Sequence, residues 1–327
     1  MKIKKNLSFT SVLFFNLILL LLSSCNKEDL GNLSVISTGI ITDITDTTAV
    51  SNVTITSTGG TTITACGICW SLTTSPTIAD SKTVENASNV GSFASTLIHL
   101  VPNSTYFVRA YVTNKAGTAY GELIPFKTLA KGTVLDADGN VYHSIKIGTQ
   151  TWMTENLKTT HYTDGTEIPY VTDNTAWSKL TTPGYCWFNN DLTAKDICGG
   201  LYNWYVINTG KLCPKGWHVP TEAEWVTLSA GLGSSAGGKM KETGFVHWRT
   251  PNTGATNLCG FTALPTGLRN YNGVCEGLTT FGWFWGSTAF SENLVSFRSI
   301  EYNNDLLGGV GMGIYKPDGL SVRCIRD

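Results

Sequence analysis

The sequence has few charged residues and almost no net charge. Lysine, arginine, aspartate and glutamate make up 14% of the 327 residues, and the formal net charge is −1. Proteins that bind nucleic acids carry clusters of basic residues, so this balance argues against a nucleic-acid partner. Glycine, with 34 residues, is abundant instead, and serine, threonine and asparagine are frequent. This composition favours a β-rich protein that functions outside the cytoplasm.

The sequence also lacks an apolar run long enough to cross a membrane comfortably. Its N-terminal run, residues 9–22, follows three lysines and is typical of a cleaved signal peptide. The run leads into Leu22-Ser23-Ser24-Cys25, which resembles a bacterial lipobox. The resemblance implies a signal peptide over residues 1–24, lipid including palmitate on Cys25, and a short tether over residues 25–33. A plain secretory signal with a chance cysteine is the alternative.

The four residues after this cysteine, Asn26-Lys27-Glu28-Asp29, include two acidic ones. They resemble the export tag of surface lipoproteins of Bacteroidota. The resemblance implies an outer-membrane lipoprotein that faces the cell exterior and is attached to the membrane through its N-terminal lipid.

Clusters of histidine, cysteine and carboxylate residues with metal-site spacing are missing from the sequence. Asp136-Ala137-Asp138-Gly139-Asn140 looks like the start of a calcium loop, but position 12 of such a loop would be Ile147, which has no oxygen ligand. A hairpin turn at this Asp-Gly pair is the better interpretation. We interpret the scattered histidines of the second half as structural residues rather than catalysts: His143, His161, His218 and His247. We therefore expect no metal, no cofactor and no enzymatic activity.

Residues 34–128 alternate between short β-branched segments and turn residues, which predicts an all-β sandwich. Within this region, Leu100-Val101-Pro102-Asn103-Ser104-Thr105-Tyr106 resembles the fibronectin type III signature. In that signature a Leu-x-Pro corner precedes a strand whose tyrosine closes a tyrosine corner. The resemblance implies a module that spaces or binds and has no chemistry of its own.

The rest of the chain is organised around residues 212–225. Cys213-Pro214-Lys215-Gly216 predicts a tight turn, because proline presets φ and glycine supplies a positive one. Thr221 and Glu224 then form a capping box, so we expect a helix to begin there. The residues predicted to line its buried face are Trp225, Leu228 and Leu232, and Gly231 and Gly233 are the candidates to end it.

Around this helix the sequence shows short aromatic strands and loops rich in glycine and asparagine. A further short helix is predicted over residues 199–206. Together these features predict an α+β domain over residues 132–327. The sequence therefore predicts a multidomain protein, with an N-terminal β-sandwich followed by an α+β domain.

Seven segments follow one another in residues 132–327: Asp138-Gly139-Asn140-Val141-Tyr142, Trp152-Met153-Thr154-Glu155-Asn156-Leu157, Asp173-Asn174-Thr175-Ala176-Trp177, Leu201-Tyr202-Asn203-Trp204-Tyr205, Cys213-Pro214-Lys215-Gly216-Trp217-His218-Val219-Pro220, Gly260-Phe261-Thr262-Ala263-Leu264-Pro265 and Ser321-Val322-Arg323-Cys324-Ile325-Arg326-Asp327. Through these segments, residues 132–327 resemble the Fibrobacter succinogenes major paralogous domain. Three segments also stand in the order of a second family: Val219-Pro220-Thr221-Glu222-Ala223-Glu224-Trp225, Trp285-Gly286-Ser287 and Arg323-Cys324-Ile325-Arg326. Through them the chain more distantly resembles the formylglycine-generating enzymes. Both resemblances imply a variant of the C-type-lectin-like fold, whose surface loops bind ligands, and the first family implies no established activity. The oxidase chemistry of the second needs reactive cysteines near the C-terminus, where only Cys324 is present, so it is not carried over.

Eight cysteines remain once Cys25 is taken by lipid, and in an oxidising compartment they can pair. Six of them lie in the second domain, where they allow fifteen connectivities that the sequence does not decide. In the lectin-like fold implied by the resemblance, an early element is often linked to the last strand. The resemblance therefore makes Cys213 with Cys324 the leading pair.

The candidate ligand-binding surface consists of aromatic and amide residues in loops before the last strand. The tripeptides of calcium-dependent lectins are absent from the sequence, so calcium-dependent sugar binding is not predicted. Aromatic rings could still stack on a sugar while amides hydrogen-bond to it, and loops on a rigid scaffold often carry function. The alternative is that these are solvated turn residues. The candidates are Arg269, Asn270, Tyr271, Tyr302, Asn303, Asn304, Asp305 and Tyr315.

These observations predict a surface lipoprotein that acts as a binding or adhesion module for an extracellular glycan or protein. A structural envelope subunit without a soluble ligand is the alternative. An enzyme related to the formylglycine generators, or one that acts on polysaccharide, is the less favoured third hypothesis.

Overall fold

The computed structural model describes residues 30–327. The predicted signal peptide, the lipidation site Cys25 and the tether up to residue 29 lie outside the described residues. The described chain divides into two compact units, one formed by residues 30–40, 51–97 and 106–125, and the other by residues 41–50, 98–105 and 126–327.

The first eight strands form two sheets, with the order β1-β2-β5 in one and β4-β3-β6-β7 in the other, where β8 also pairs with β6. Burial alternates along β2, where Val53 and Ile55 are buried, and along β6, where Val108 and Ala110 are buried. Along β2 and the first part of β6, alternate side chains are therefore buried, as in the strands of a sandwich. The all-β prediction for this region is confirmed. The strands are β1 (Val35–Thr42), β2 (Ala49–Ser57), β3 (Ala65–Ser71), β4 (Ser81–Lys82), β5 (Gly91–Leu97), β6 (Thr105–Asn114), β7 (Gly117–Tyr120) and β8 (Ile124–Lys127).

The remaining strands form two larger sheets and one small one. Their bounds are β9 (Thr133–Leu135), β10 (Val141–Ile147), β11 (Gln150–Met153), β12 (Tyr185–Cys186), β13 (Leu201–Tyr202), β14 (Trp217–His218), β15 (Thr266–Arg269), β16 (Cys275–Leu278), β17 (Phe281–Ala289), β18 (Leu294–Glu301), β19 (Leu307–Gly308), β20 (Gly313–Tyr315) and β21 (Ile325–Arg326). The sheet orders are β14-β21-β11-β10-β9, β12-β13, and β16-β15-β17-β18-β19 with β20 on β18. The antiparallel pairing of β9 with β10 confirms the hairpin interpretation at Asp138-Gly139.

Helices are few and short in the described part of the chain. They are α1 (Asn174–Ser178), α2 (Lys195–Cys198), α3 (Trp204–Ile207), α4 (Glu222–Leu232) and α5 (Ala236–Met240), with 3₁₀ turns at Phe188–Asn190 and Leu192–Ala194. The second unit is therefore mostly β, with less helix than the α+β prediction implies. None of these helices is long and apolar enough to span a membrane.

The predicted helix at Thr221 is present as α4. The Thr221 hydroxyl accepts the Glu224 N–H, the Glu224 carboxylate accepts the Thr221 N–H at 2.8 Å, and Gly233 ends the helix. Trp225 is fully buried, with its ring centroid 4.7 Å from that of Trp152. The capping box thus starts the helix that carries a central aromatic residue of the core.

The helix predicted over residues 199–206 is only partly correct. Leu201 and Tyr202 form β13, which pairs with β12, and the helix α3 begins only at Trp204. Asn203 caps it by accepting the Val206 N–H. Pairing with a strand distant in sequence therefore overrides the local aromatic pattern at Leu201 and Tyr202.

Cys213 and Cys324 form a disulfide, the pair that the resemblance favours. It joins the turn before β14 to the residue before β21. The six other cysteines of residues 30–327 are free thiols.

Candidate functional site

An open groove of about 370 Å³ on the second unit is lined by residues from four parts of the chain. Tyr205 lies on α3, Tyr271 in the turn between β15 and β16, and Asn293 in the turn between β17 and β18. Tyr315 ends β20 and is followed by Lys316 and Pro317, which complete the lining. Two of the predicted ligand-binding residues, Tyr271 and Tyr315, are therefore brought together.

These two tyrosines form an exposed aromatic pair. Their ring centroids are 5.4 Å apart in an edge-to-face arrangement, and 48% of Tyr271 and 53% of Tyr315 is exposed. Large aromatic side chains usually bury most of their surface in a fold, so a pair left in contact with solvent marks a candidate binding surface.

The buried carboxylate of Asp318 connects the two loops that carry these tyrosines. It accepts the Tyr315 N–H at 3.0 Å and also the Tyr271 N–H. Burial raises the pKa of Asp318 to about 6, although both hydrogen bonds act in the opposite direction. This residue therefore positions the pair from beneath the groove.

The turn that carries Tyr271 is held by local hydrogen bonds. The Asn270 side-chain oxygen accepts the N–H groups of Asn272 and Val274. Gly273 has a φ of 86°, and a Cβ at this position would lie 2.6 Å from a backbone oxygen of Asn174. The turn therefore requires glycine there, and the Asn270 oxygen acts as a turn residue rather than as a ligand-facing group.

Arg269 is not part of the exposed surface, contrary to its prediction as a ligand-binding residue. It is 1% exposed, and its guanidinium donates to the carbonyls of Val171, Thr172 and Gly273. The same group lies 4.5 Å from the ring centroid of Trp177. Because its N–H groups already donate to these carbonyls and to the Asn174 side chain, the guanidinium holds the hairpin in place rather than facing a ligand.

The other predicted residues lie in a separate turn and do not line the groove. The Lys241 ammonium donates to the Asn304 carbonyl at 2.8 Å, and the Asn304 side chain bonds to Glu301. The guanidinium carbon Cζ of Arg249 lies 5.6 Å from the centroid of the Tyr302 ring. Tyr302, Asn303, Asn304 and Asp305 therefore do not share a surface with Tyr271 and Tyr315 in the groove.

Each of the four scattered histidines contacts a carboxylate. His218 is bonded on both sides, with Asp327 at 2.6 Å from Nδ1 and Glu224 at 2.8 Å from Nε2. The other pairs are His143 with Glu155, His161 with Asp138, and His247 with Glu242. Within residues 30–327, no group of three or more histidine, cysteine, aspartate or glutamate side chains could hold a metal ion.

Two buried cations that hold the loops of the second unit could not be recognised from the sequence. Arg298 is fully buried and forms a two-pronged ion pair with Glu222, both contacts at 2.8 Å, at the first turn of α4. Arg323 is fully buried and donates to the carbonyls of Phe261 and Thr262. Their partners are far away in sequence, so no local pattern identifies them.

Four further groove residues were not predicted from the sequence either: Tyr205, Asn293, Lys316 and Pro317. The same holds for the buried Asp318 that follows them. The only local signal was the turn sequence Lys316-Pro317-Asp318-Gly319, directly after the predicted Tyr315. The groove offers aromatic faces, phenol hydroxyls, one amide and one ammonium. This set can stack on a ligand and hydrogen-bond to it, and the groove lining contains no pair of carboxylates for acid–base chemistry.

Comparison with known proteins gives one family match. Residues 145–326, more than half of the chain, match the model of the Fibrobacter succinogenes major domain. No curated protein matches the chain.

Several solved structures are similar to part of the chain. One is the sensor domain, in a short form, of the anti-sigma factor RsgI4 of Pseudobacteroides cellulosolvens, with 22% identity over 30% of this chain and 95% of that one and a TM-score of 0.25. Another is the fibronectin type III domain from human KIAA0970, with 19% identity over 33% and 85% and a TM-score of 0.23. A third is the FN1–FN3 segment of chicken CNTN1, with 16% identity over 30% and 32% and a TM-score of 0.23. These scores are low, so the likenesses define neither the fold nor the function of the chain.

Proposed function

Because the chain belongs to the Fibrobacter succinogenes major domain family, we propose that it is a surface lipoprotein whose second unit binds an extracellular glycan without transforming it. The observation that carries this proposal is the exposed pair Tyr271 and Tyr315 in the groove. In this proposal the second unit is a variant of the C-type-lectin-like fold, and the β-sandwich is a fibronectin type III-like spacer.

The chemistry of the groove suits a carbohydrate. A sugar ring presents an apolar face of C–H groups, which can pack against a tyrosine ring, and a rim of hydroxyls, which need hydrogen-bond partners. The hydroxyls of Tyr205, Tyr271 and Tyr315 and the amide of Asn293 supply such partners. Lys316 adds a cation at the rim, which favours a sugar that carries a carboxylate or sulfate.

The groove also has the rigidity that weak contacts need. Asp318 fixes the backbone of both tyrosine loops, and the Trp204 N–H donates to the Lys316 carbonyl at 3.0 Å. A site held in its binding conformation loses less conformational entropy when the ligand arrives, so its affinity is higher.

The binding test uses the full chain in detergent on a glycan array that includes neutral and acidic polysaccharide fragments. Y271A and Y315A are each expected to weaken binding at least tenfold, because each removes one of the two aromatic contacts. Y170A is the matched control, since Tyr170 is 40% exposed and does not line the groove. N303A tests the separate turn and is expected to leave binding unchanged.

Two outcomes would count against this site. If N303A abolished binding while the tyrosine variants did not, the ligand would occupy the turn after β18 instead. If the folded chain bound an extracellular protein but no glycan, the glycan proposal would be rejected in favour of protein adhesion. If it bound neither a glycan nor a protein, a structural role would be favoured.

The lipid anchor has its own test. Cells that express the chain are grown with a palmitate analogue that carries a chemical handle. Labelling is expected for the natural sequence and absent for Cys25→Ser, whereas an ordinary secretory signal would give no label in either.

A further inference from the structure

Three free cysteines meet in one apolar cluster of the second unit. Cys186 on β12 and Cys198 on α2 are buried, and Cys275 at the start of β16 is half-buried, with Trp177, Phe188 and Leu201 around them. The thiols of Cys186 and Cys275 are in direct hydrogen-bond contact. A pair of thiols at contact distance needs only a small movement to reach disulfide geometry.

The two thiols of this pair have different environments. The Cys275 sulfur accepts the Asn189 N–H at 3.3 Å and lies close to the Arg269 guanidinium. The hydrogen bond from Cys186, together with these two groups, lowers the pKa of Cys275 to about 7. Burial raises the pKa of Cys186, so it stays protonated and is the donor. Cys198, whose pKa burial raises to about 11, is the third titratable neighbour.

We propose that Cys186 and Cys275 form a redox-active thiol pair that a hydroperoxide converts into a second disulfide of the chain. This proposal is independent of the glycan-binding proposal. It differs from the Cys213–Cys324 link in that one of its members is accessible to solvent and so can be oxidised and reduced in the folded protein.

The reaction balances in two steps. The Cys275 thiolate attacks the hydroperoxide, the O–O bond breaks, and the products are a sulfenic acid on Cys275 and an alkoxide or hydroxide that takes up a proton. The Cys186 thiol then attacks the sulfenic sulfur, loses its proton and displaces water, which leaves the disulfide. The hydroperoxide is reduced by two electrons, and the two thiols are oxidised.

A bond at this position would tie the β15–β16 hairpin to β12. Cys275 is opposite Arg269 in that hairpin, and the intervening turn carries Tyr271. Oxidation is therefore expected to restrict the movement of the Tyr271 turn.

The test treats the folded full chain, after mild reduction, with one equivalent of hydrogen peroxide and maps the peptides without reduction. A Cys186–Cys275 link is expected. Cys275→Ser should abolish the link and leave Cys186 as a thiol, whereas Cys198→Ser, from the same cluster, should retain it. A link between Cys198 and either partner, or over-oxidation of Cys275 without a link, would overturn the proposal.

A second measurement does not depend on any variant. The rate at which iodoacetamide alkylates Cys275 should rise with pH and level off just above about pH 7, because the thiolate is the nucleophile. Cys259 is the internal control, since it is also half-buried but burial raises its pKa, so its rate should still be rising at higher pH. If both residues gave the same pH profile, Cys275 would not be the activated thiol.

Discussion

Replacing Glu224 with glutamine is expected to destabilise the second unit only at pH values where His218 is charged. One carboxylate oxygen of Glu224 accepts the Thr221 N–H at 2.8 Å, and the other lies 2.8 Å from Nε2 of His218. Glutamine can take the place of glutamate in a capping box, so E224Q keeps the cap and removes the charge. E224A removes both, and the comparison separates the two contributions.

The sign of the effect follows from the two pKa shifts. Burial disfavours the charged form of His218, but hydrogen bonds with Asp327 and Glu224 outweigh it and raise its pKa. Burial also opposes ionisation of Glu224, but hydrogen bonds from Thr221 and His218 outweigh it and lower its pKa. The attraction between the His218 imidazolium and the Glu224 carboxylate therefore stabilises the fold at pH values between the lowered pKa of Glu224 and the raised pKa of His218. This stabilisation is lost as the pH falls through the pKa of Glu224 or rises through the pKa of His218.

The contributions of the Glu224 charge and of its capping hydrogen bonds to stability are small but can be told apart. The side chains of His218 and Glu224 are 37% and 28% exposed, so solvent screening limits the charge contribution to at most about 1 kcal/mol. The capping hydrogen bonds contribute about 1 kcal/mol more. At about pH 5.5 the free energy of unfolding should fall by up to about 1 kcal/mol in E224Q and by about 2 kcal/mol in E224A. Near pH 9 only E224A should be less stable than the natural protein.

Urea unfolding followed by tryptophan fluorescence measures these differences. Nine of the ten tryptophans lie beyond residue 126, so the signal reports on the second unit. Equal destabilisation of E224Q at both pH values, or equal stability of E224A and E224Q near pH 9, would contradict this assignment of roles to Glu224.

Three further predictions use the same unfolding assay. Because burial raises the pKa of Asp318 from 3.8 to about 6, its neutral form is favoured in the fold. The free energy of unfolding of the natural protein should therefore fall by up to about 3 kcal/mol as the pH rises from about 4 to about 7, and D318N should not show this fall. K241M should cost about 3–5 kcal/mol, because the fully buried ammonium donates to three backbone carbonyls that methionine leaves unpaired; a cost below about 1 kcal/mol would contradict this. Replacing both Cys213 and Cys324 with alanine should cost about 4–5 kcal/mol, because the disulfide closes a loop with a sequence separation of 111 residues; an unchanged urea midpoint would show that the link does not stabilise the fold.

Features that depend on neighbouring residues could be predicted from the sequence. Thr221 and Glu224 are three residues apart, so their reciprocal hydrogen bonds follow from helix geometry alone. The turn at Asp138-Gly139 is likewise local, because glycine supplies the positive φ of 78° that the turn requires. The pairing of Cys213 with Cys324 came from a family resemblance, which already contains information about tertiary structure.

Features that depend on distant residues could not be predicted. Arg269 looked like an exposed ligand group because it adjoins asparagines and tyrosines, yet it is buried against carbonyls almost a hundred positions earlier in the chain. Leu201 and Tyr202 fit a helix locally but join a strand formed by Tyr185 and Cys186. In both cases the conformation is set by a partner distant in the chain, which the periodicity of the sequence does not reveal.

The sequence by itself determined where chain segments turn and where α4 begins, since hydrogen bonds within a few residues control these features. The tertiary structure alone decided which two of the eight predicted surface residues line a groove. Tyr271 and Tyr315 are 44 residues apart, and a buried carboxylate on Asp318 joins their loops. It also brought Cys186 against Cys275 across 89 residues, because contacts of this kind arise only when separate sheets pack into one core.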